Sequence, residues 1–164
     1  MTLLASSPQR IYLLRHAKSG WAKPGERDFD RRLDDAGLIE AQQVADAAAR
    51  RGYRPSVVLS SSAVRCRQTA EALRRSIDGE TEFRFLDELY NAPADTYVDL
   101  LERSRDVDSV MLVGHNPAIE ELFATLAGMD AVSRAIPEGY PTSGLAVLDH
   151  KAGDDEWILT DFID

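Results

Sequence analysis

A single cysteine, Cys66, occurs in the 164 residues, so an internal disulfide is excluded and the composition suits a reducing compartment. Cys66 also lacks the setting of a thiolate nucleophile for phosphate chemistry. Such a thiolate needs an arginine at a fixed short offset within one cradling loop, and the residue at that place is Ala72. Cys66 therefore reads as core. No apolar run approaches the length of a membrane span, and Met1 to Gln9 is too short and polar for a signal-peptide core, so a cytoplasmic protein without a membrane partner is expected. Histidine is scarce. His16, His115 and His150 form no pair at metal-ligand spacing, and both the Walker loop and the dinucleotide-type glycine fingerprint are missing, so neither metal nor cofactor is expected. Basic residues are in deficit, with 19 Lys and Arg against 28 Asp and Glu. A net charge of -9 argues against nucleic acid or anionic lipid as a partner, and an anionic ligand would have to be attracted locally.

With 44% apolar and 29% charged residues, the chain has the makings of one globular domain over residues 1–164. Short apolar runs alternate with helical patterns. Strands are expected at Arg10 to Leu14, Val57 to Ser60, Glu82 to Leu86 and Ser109 to Val113. Between them, Asp34 can cap a helix to about Arg51, and Ser61 or Ser62 can cap one over Ala63 to Ile77. Pro93 opens a third, and Asn116-Pro117 a fourth that ends before Gly128. Met129 to Thr142 reads as a loop, followed by strands at Gly144 to Leu148 and Trp157 to Phe162. Gly153 and its acidic neighbours read as the turn between them, and His150 as a surface residue in that turn. The alternation predicts an α/β fold of three layers, a mainly parallel central sheet with helices on both faces.

In such a fold all parallel strands end on one edge, where ligands bind. Four basic groups would meet there. Arg15 and His16 end the first strand, His115 ends the fourth, and Arg65 lies in the first turn of the second helix, off its apolar stripe. Taken singly, each also reads as an ordinary solvated residue. Together they form a phosphate pocket in which two guanidinium forks grip oxygens, a protonated His115 adds a charged hydrogen bond, and one imidazole faces phosphorus. A neutral imidazole is a competent nucleophile near neutral pH. His16 is therefore the expected nucleophile, passing through a phosphohistidine that Arg15, Arg65 and His115 stabilise. Of the adjacent acids Asp87 and Glu88, Glu88 is the chosen proton donor. Lys18, Trp21 and Arg27, in the long loop Ala17 to Arg32, are candidates for substrate contact.

Five stretches occur in the order found in the histidine phosphatase superfamily of phosphoglycerate mutase-like enzymes, which the chain resembles over nearly its whole length. They are LLRHAKSGW at Leu13 to Trp21, RRLDDAG at Arg31 to Gly37, LSSSAVRCRQTAE at Leu59 to Glu71, DELY at Asp87 to Tyr90 and VGHNP at Val113 to Pro117. It looks most like the small branch of bacterial phosphohistidine phosphatases. The resemblance implies that His16 is the nucleophile, that Arg15, Arg65 and His115 are phosphate ligands, and that Glu88 falls near the donor. Ala17 stands where the superfamily most often has glycine. With only two loops as walls, an open site is expected. That favours phosphohistidine on a signalling protein as substrate, with a small phosphomonoester, or phospholigand binding without turnover, as the alternatives.

Overall fold

Arg10–Arg15 forms a strand because its branched and aromatic side chains alternate between two covered faces. Ile11 and Leu13 enter one core, Tyr12 and Leu14 the other. In the computed structural model, which describes residues 8–77, 79–151 and 156–164, this strand (β1) is the fourth of a six-stranded sheet. The others are β2 (Val57–Ser61), β3 (Glu82–Leu86), β4 (Ser109–Gly114), β5 (Leu145–His150) and β6 (Trp157–Ile163). Their order is β3-β2-β4-β1-β5-β6. The first four strands are mutually parallel, and β5 runs against both β1 and β6.

One helical layer consists of α1 (Asp35–Arg50) and α2 (Val64–Ser76). Ala41, Ala45 and Ala48 of α1 are buried, and such small side chains let the two helices approach closely over Tyr12, Val58 and Met111. The other layer consists of α3 (Ala94–Arg103), α4 (Ala118–Ala127) and α5 (Met129–Ala135), with Tyr97, Leu100, Ile119, Leu122 and Phe123 buried against Leu13, Val110 and Leu112. Truncating Leu13 or Leu112 to alanine would cost about 2–5 kcal/mol, since both are fully buried.

Most boundaries fall within a residue or two of expectation, and the departures have physical reasons. The stretch after Gly128 is not all loop. It turns once more into α5, a seven-residue helix with no fully buried residue and hence no strong apolar stripe to announce it. His150 is not in a turn but ends β5 opposite Trp157, their rings 5.0 Å apart. The expected turn around Gly153 lies outside the described residues. Neither Ser61 nor Ser62 caps α2, whose N-cap is Ala63. Ser61 Oγ instead accepts the Ala63 N–H, and Ser62 donates to Asp87. Pro117 is the N-cap of α4 rather than its first residue, while Asn116 Oδ1 accepts the Glu120 N–H.

Candidate active site

Strand register sets the site. Arg15 of β1 pairs with Gly114 of β4, and Ser60 of β2 with Val113. His16 and His115 therefore follow their strands side by side, with Ser61 at the end of β2, at the carboxyl ends of three adjacent parallel strands. The His16 and His115 ring centroids are 5.4 Å apart at 63°. Arg65 reaches the same place from the first turn of α2, its Nη2 3.4 Å from His115 Nδ1. Arg15, His16, Arg65 and His115 line a cleft of about 340 Å³, with Lys18 and Arg31 contributing from the loop after β1.

Two close approaches need the absence of a side chain. A Cβ on Gly114 would lie 2.2 Å from the Tyr97 hydroxyl, and one on Gly37 would lie 1.8 Å from the Lys18 carbonyl oxygen. Gly37 lets the start of α1 seat against the loop after β1, where Asp34 caps the helix by accepting the Gly37 N–H at 2.7 Å. Gly114 makes room for Tyr97, whose buried hydroxyl accepts the His115 N–H at 3.1 Å. Thr69 links the two basic strand and helix ends, accepting from the Ala17 N–H and donating to the Arg65 carbonyl. Tyr140 supplies a carbonyl to Arg15 Nη1 at 2.7 Å, while its hydroxyl ties Leu13 of β1 to Ala146 of β5.

The two imidazoles have different hydrogen-bond partners. His16 Nδ1 lies 2.7 Å from the carbonyl of Ala17, so Nδ1 carries the proton and donates. Nε2 then holds the lone pair, free of hydrogen-bond partners among the described residues. Burial, aided by His115, Arg65 and Arg15, pushes His16 down to about 3 and keeps it neutral. His115 Nδ1 faces Arg65, which can only donate, and its Nε2 lies 2.9 Å from Ser61 Oγ. Burial first and Arg65 second push His115 down to about 4, so it too is neutral, with its proton on Nε2.

Arg15 Nε and Arg65 Nε are buried and have no hydrogen-bond partner among the described residues. An unpaired buried donor costs on the order of 1–3 kcal/mol, and two guanidiniums sharing that condition beside two neutral imidazoles describe a preformed seat for an oxyanion. Among the described residues, no group of three or more His, Cys, Asp or Glu side chains is gathered so as to hold a metal ion. No helix among them is long and apolar enough to cross a membrane.

The structure thus brings Arg15, His16, Arg65, His115 and Lys18 together, and it does not bring Glu88 or Trp21 with them. Glu88 lies in a 3₁₀ turn, Asp87–Leu89, exposed and paired with Arg103 at 3.3 Å, because α3 presents its last turn beside that carboxylate. Asp87 is held by Ser62. Trp21 is 95% exposed on the loop and does not line the cleft. Arg27 pairs with Asp30 on the same loop. Arg65 is buried rather than solvated, 4% exposed. The sequence reading misses Arg31, Asn91 and Thr142 in the lining, and Asp28, Tyr97 and Tyr140 behind it. For Tyr97 the α3 periodicity carried a usable signal, since it falls one turn before the inward-facing Leu101.

Paired histidines and arginines around a seat of this kind have the chemistry to hold a phosphoryl group. The family model of the histidine phosphatase superfamily (branch 1) matches residues 11–95. The chain belongs to that superfamily and is a phosphatase of its class. Its fold matches the crystal structure of a candidate phosphohistidine phosphatase SixA from Agrobacterium tumefaciens with a TM-score of 0.90 and 52% identity, covering 96% of this chain and 98% of that one. An uncharacterised Mycobacterium tuberculosis protein is 37% identical over 142 residues, 82% of this chain and 85% of its own length. An uncharacterised chloroplastic protein of Arabidopsis thaliana is 32% identical over 133 residues, 75% of this chain. The match spans 61% of that relative's length.

Proposed function

We propose that this phosphatase hydrolyses phosphohistidine on a protein through a phosphohistidine intermediate on His16, with Arg15, Arg65 and His115 as phosphate ligands. The observation that carries the reading is the His16 Nδ1–H bond to the Ala17 carbonyl, 2.7 Å, which leaves Nε2 with its lone pair beside two unpaired buried guanidinium donors. Nε2 attacks phosphorus in line, the bond from phosphorus to the substrate nitrogen breaks, and that nitrogen takes up a proton. Water then attacks the same phosphorus, the bond to Nε2 breaks, orthophosphate leaves and His16 returns to its neutral form. The proton gained by the leaving group is balanced by the one that water sheds. Charge on the transferring phosphoryl group is met by the arginines, and the dianion raises the proton affinity of His115. Protonation of His115 places a second proton on Nδ1, turning the nitrogen beside Arg65 from acceptor to donor.

Two features favour a phosphoramidate on a protein. Among the described residues no carboxylate lines the cleft, and the nitrogen of phosphohistidine departs readily once protonated, whereas an alkoxide needs an acid beside it. The rim of the cleft is made by the loop after β1, Asn91, Asn116 and the stretch before β5, short segments that leave room for a protein surface. The Agrobacterium tumefaciens SixA that shares 52% identity with this chain is itself a candidate phosphohistidine phosphatase.

Acid-quench trapping with labelled phosphohistidine protein tests the reading. Wild type should carry acid-labile label and His16→Ala none, with the protein substrate turned over faster than a panel of sugar and nucleotide phosphates. Faster turnover of the metabolites would assign a small-molecule phosphomonoesterase. Saturable phosphate binding without turnover would leave a phospholigand-binding module.

A further inference from the structure

Arg65 has five N–H groups and a fixed planar fork, so the way one edge is held decides where the other edge points. Its outer end is filled by a single residue. Nη1 donates to the Asp28 main-chain carbonyl at 2.8 Å, and Nη2 to Asp28 Oδ2 at 3.0 Å. Nε has no partner among the described residues, and Nη2 also faces His115. Asp28 is held in turn by two further residues. The Tyr90 hydroxyl donates to Oδ2 at 2.7 Å, and Arg31 Nε and Nη2 donate to Oδ1 at 3.1 and 3.0 Å. Phe29 meets the Tyr90 ring edge-on at 5.0 Å, which seats the 3₁₀ turn Asp28–Asp30 against the site. Arg65 is almost wholly buried while half of the Asp28 side chain remains exposed, so Asp28 reaches in from the loop to meet a fixed cation.

We propose that Asp28 is a positioning residue of the phosphatase, gripping the outer end of the Arg65 guanidinium so that its Nε flank is presented to the phosphoryl oxygens. The inference rests on the reading of Arg65 as a phosphate ligand but not on that of His16 as the nucleophile. It assigns the loop after β1 a part in the reaction, through a carboxylate that never touches substrate. Two effects of Asp28 on a bound anion oppose each other. Its grip on Arg65 favours binding, whereas its negative charge, a few ångströms from the seat, disfavours it. Asparagine separates them, because its carbonyl oxygen can still accept from Arg65 and Tyr90 while the charge is gone.

The test is equilibrium binding of inorganic phosphate and of vanadate, made in the His16→Ala background so that no phosphoenzyme forms. Asp28→Ala should weaken both anions about tenfold or more, the loss of a charge-assisted grip on one guanidinium. Asp28→Asn should bind them at least as tightly as the parent. Tyr90→Phe, which removes one support of Asp28 and leaves the carboxylate, should weaken binding two- to fivefold, about half the loss in logarithmic terms, and carries the test if Asp28→Ala does not fold. Asp28→Ala at or above the parent's affinity would overturn the proposal, making Asp28 a competitor that the anion displaces. Asp28→Asn as weak as Asp28→Ala would overturn it as well. Failure to trap phosphate on His16 in the wild type would instead count against the catalytic reading and leave these binding results standing.

Discussion

The ends of β1 and β4 look alike and behave differently. Each strand delivers a histidine to the same rim, and the register that pairs Arg15 with Gly114 sets the two rings side by side. Their ring nitrogens nonetheless have different partners. His16 has one nitrogen bonded to the carbonyl of the next residue and the other without a bond among the described residues. His115 has one facing an arginine and the other facing a serine. Burial makes both neutral. The difference teaches that position at a strand end selects a residue for the site, while the neighbours of its two nitrogens select its task.

Replacing each histidine separates those tasks. His16→Ala should lower turnover by about 10³-fold or more and abolish trapped phosphoenzyme. His115→Ala, which removes a proposed ligand and not the proposed nucleophile, should cost about 10²–10³-fold and still yield label on His16 after slow reaction. Equal losses, with label absent from both, would erase the distinction. Next in size is the support under β4. Tyr97→Phe leaves the half-buried His115 N–H without its acceptor, so denaturant unfolding should show a loss of about 0.5–1.5 kcal/mol that no change at the end of β1 reproduces.

Acid stability tests both rings at once. Each has a folded pKa below its ordinary value of 6.5, so the unfolded chain binds protons that the folded chain refuses. Above 6.5 neither form is protonated there and nothing is lost. Stability should fall as pH drops from about 6.5 toward 4, and removing either imidazole should flatten that slope. Asp28, held down to about 2 beside Tyr90, Arg31 and Arg65 despite its partial burial, contributes stability at neutral pH that is lost only below about 4. The smallest effect belongs to Glu88, which pairs with Arg103 away from the cleft. Glu88→Gln should leave hydrolysis of a phosphoramidate within about threefold of wild type, a bound set by the modest worth of exposed ion pairs.

The sheet and its helices were readable because strands covered on both faces are continuous apolar runs and their helices carry caps and stripes. Arg15, His16, Arg65 and His115 were readable because each sits at the end of such an element, where topology alone puts it on the shared edge. Glu88 also ends an element, yet Arg103 draws it outward, and a contact between residues fifteen apart on an exposed surface leaves no trace in local pattern. Asp28, Tyr97 and Tyr140 were missed for the converse reason. Each acts through a long-range bond from a loop or a helix face, to Arg65, to His115 or to Arg15, that no local periodicity encodes. The choice of nitrogen on His16 depended on one main-chain carbonyl, that of Ala17.

Cys66 lies fully buried beneath the His115 ring, its Sγ 3.6 Å from Nε2, and burial lifts its thiol to about 12. As the chain's sole thiol, it is protonated and inaccessible while α2 stays docked on β4. Alkylating reagents should therefore spare the folded enzyme and mark only molecules in which that seam has parted. The rate of labelling then becomes a clock for the opening of the layer that carries Arg65.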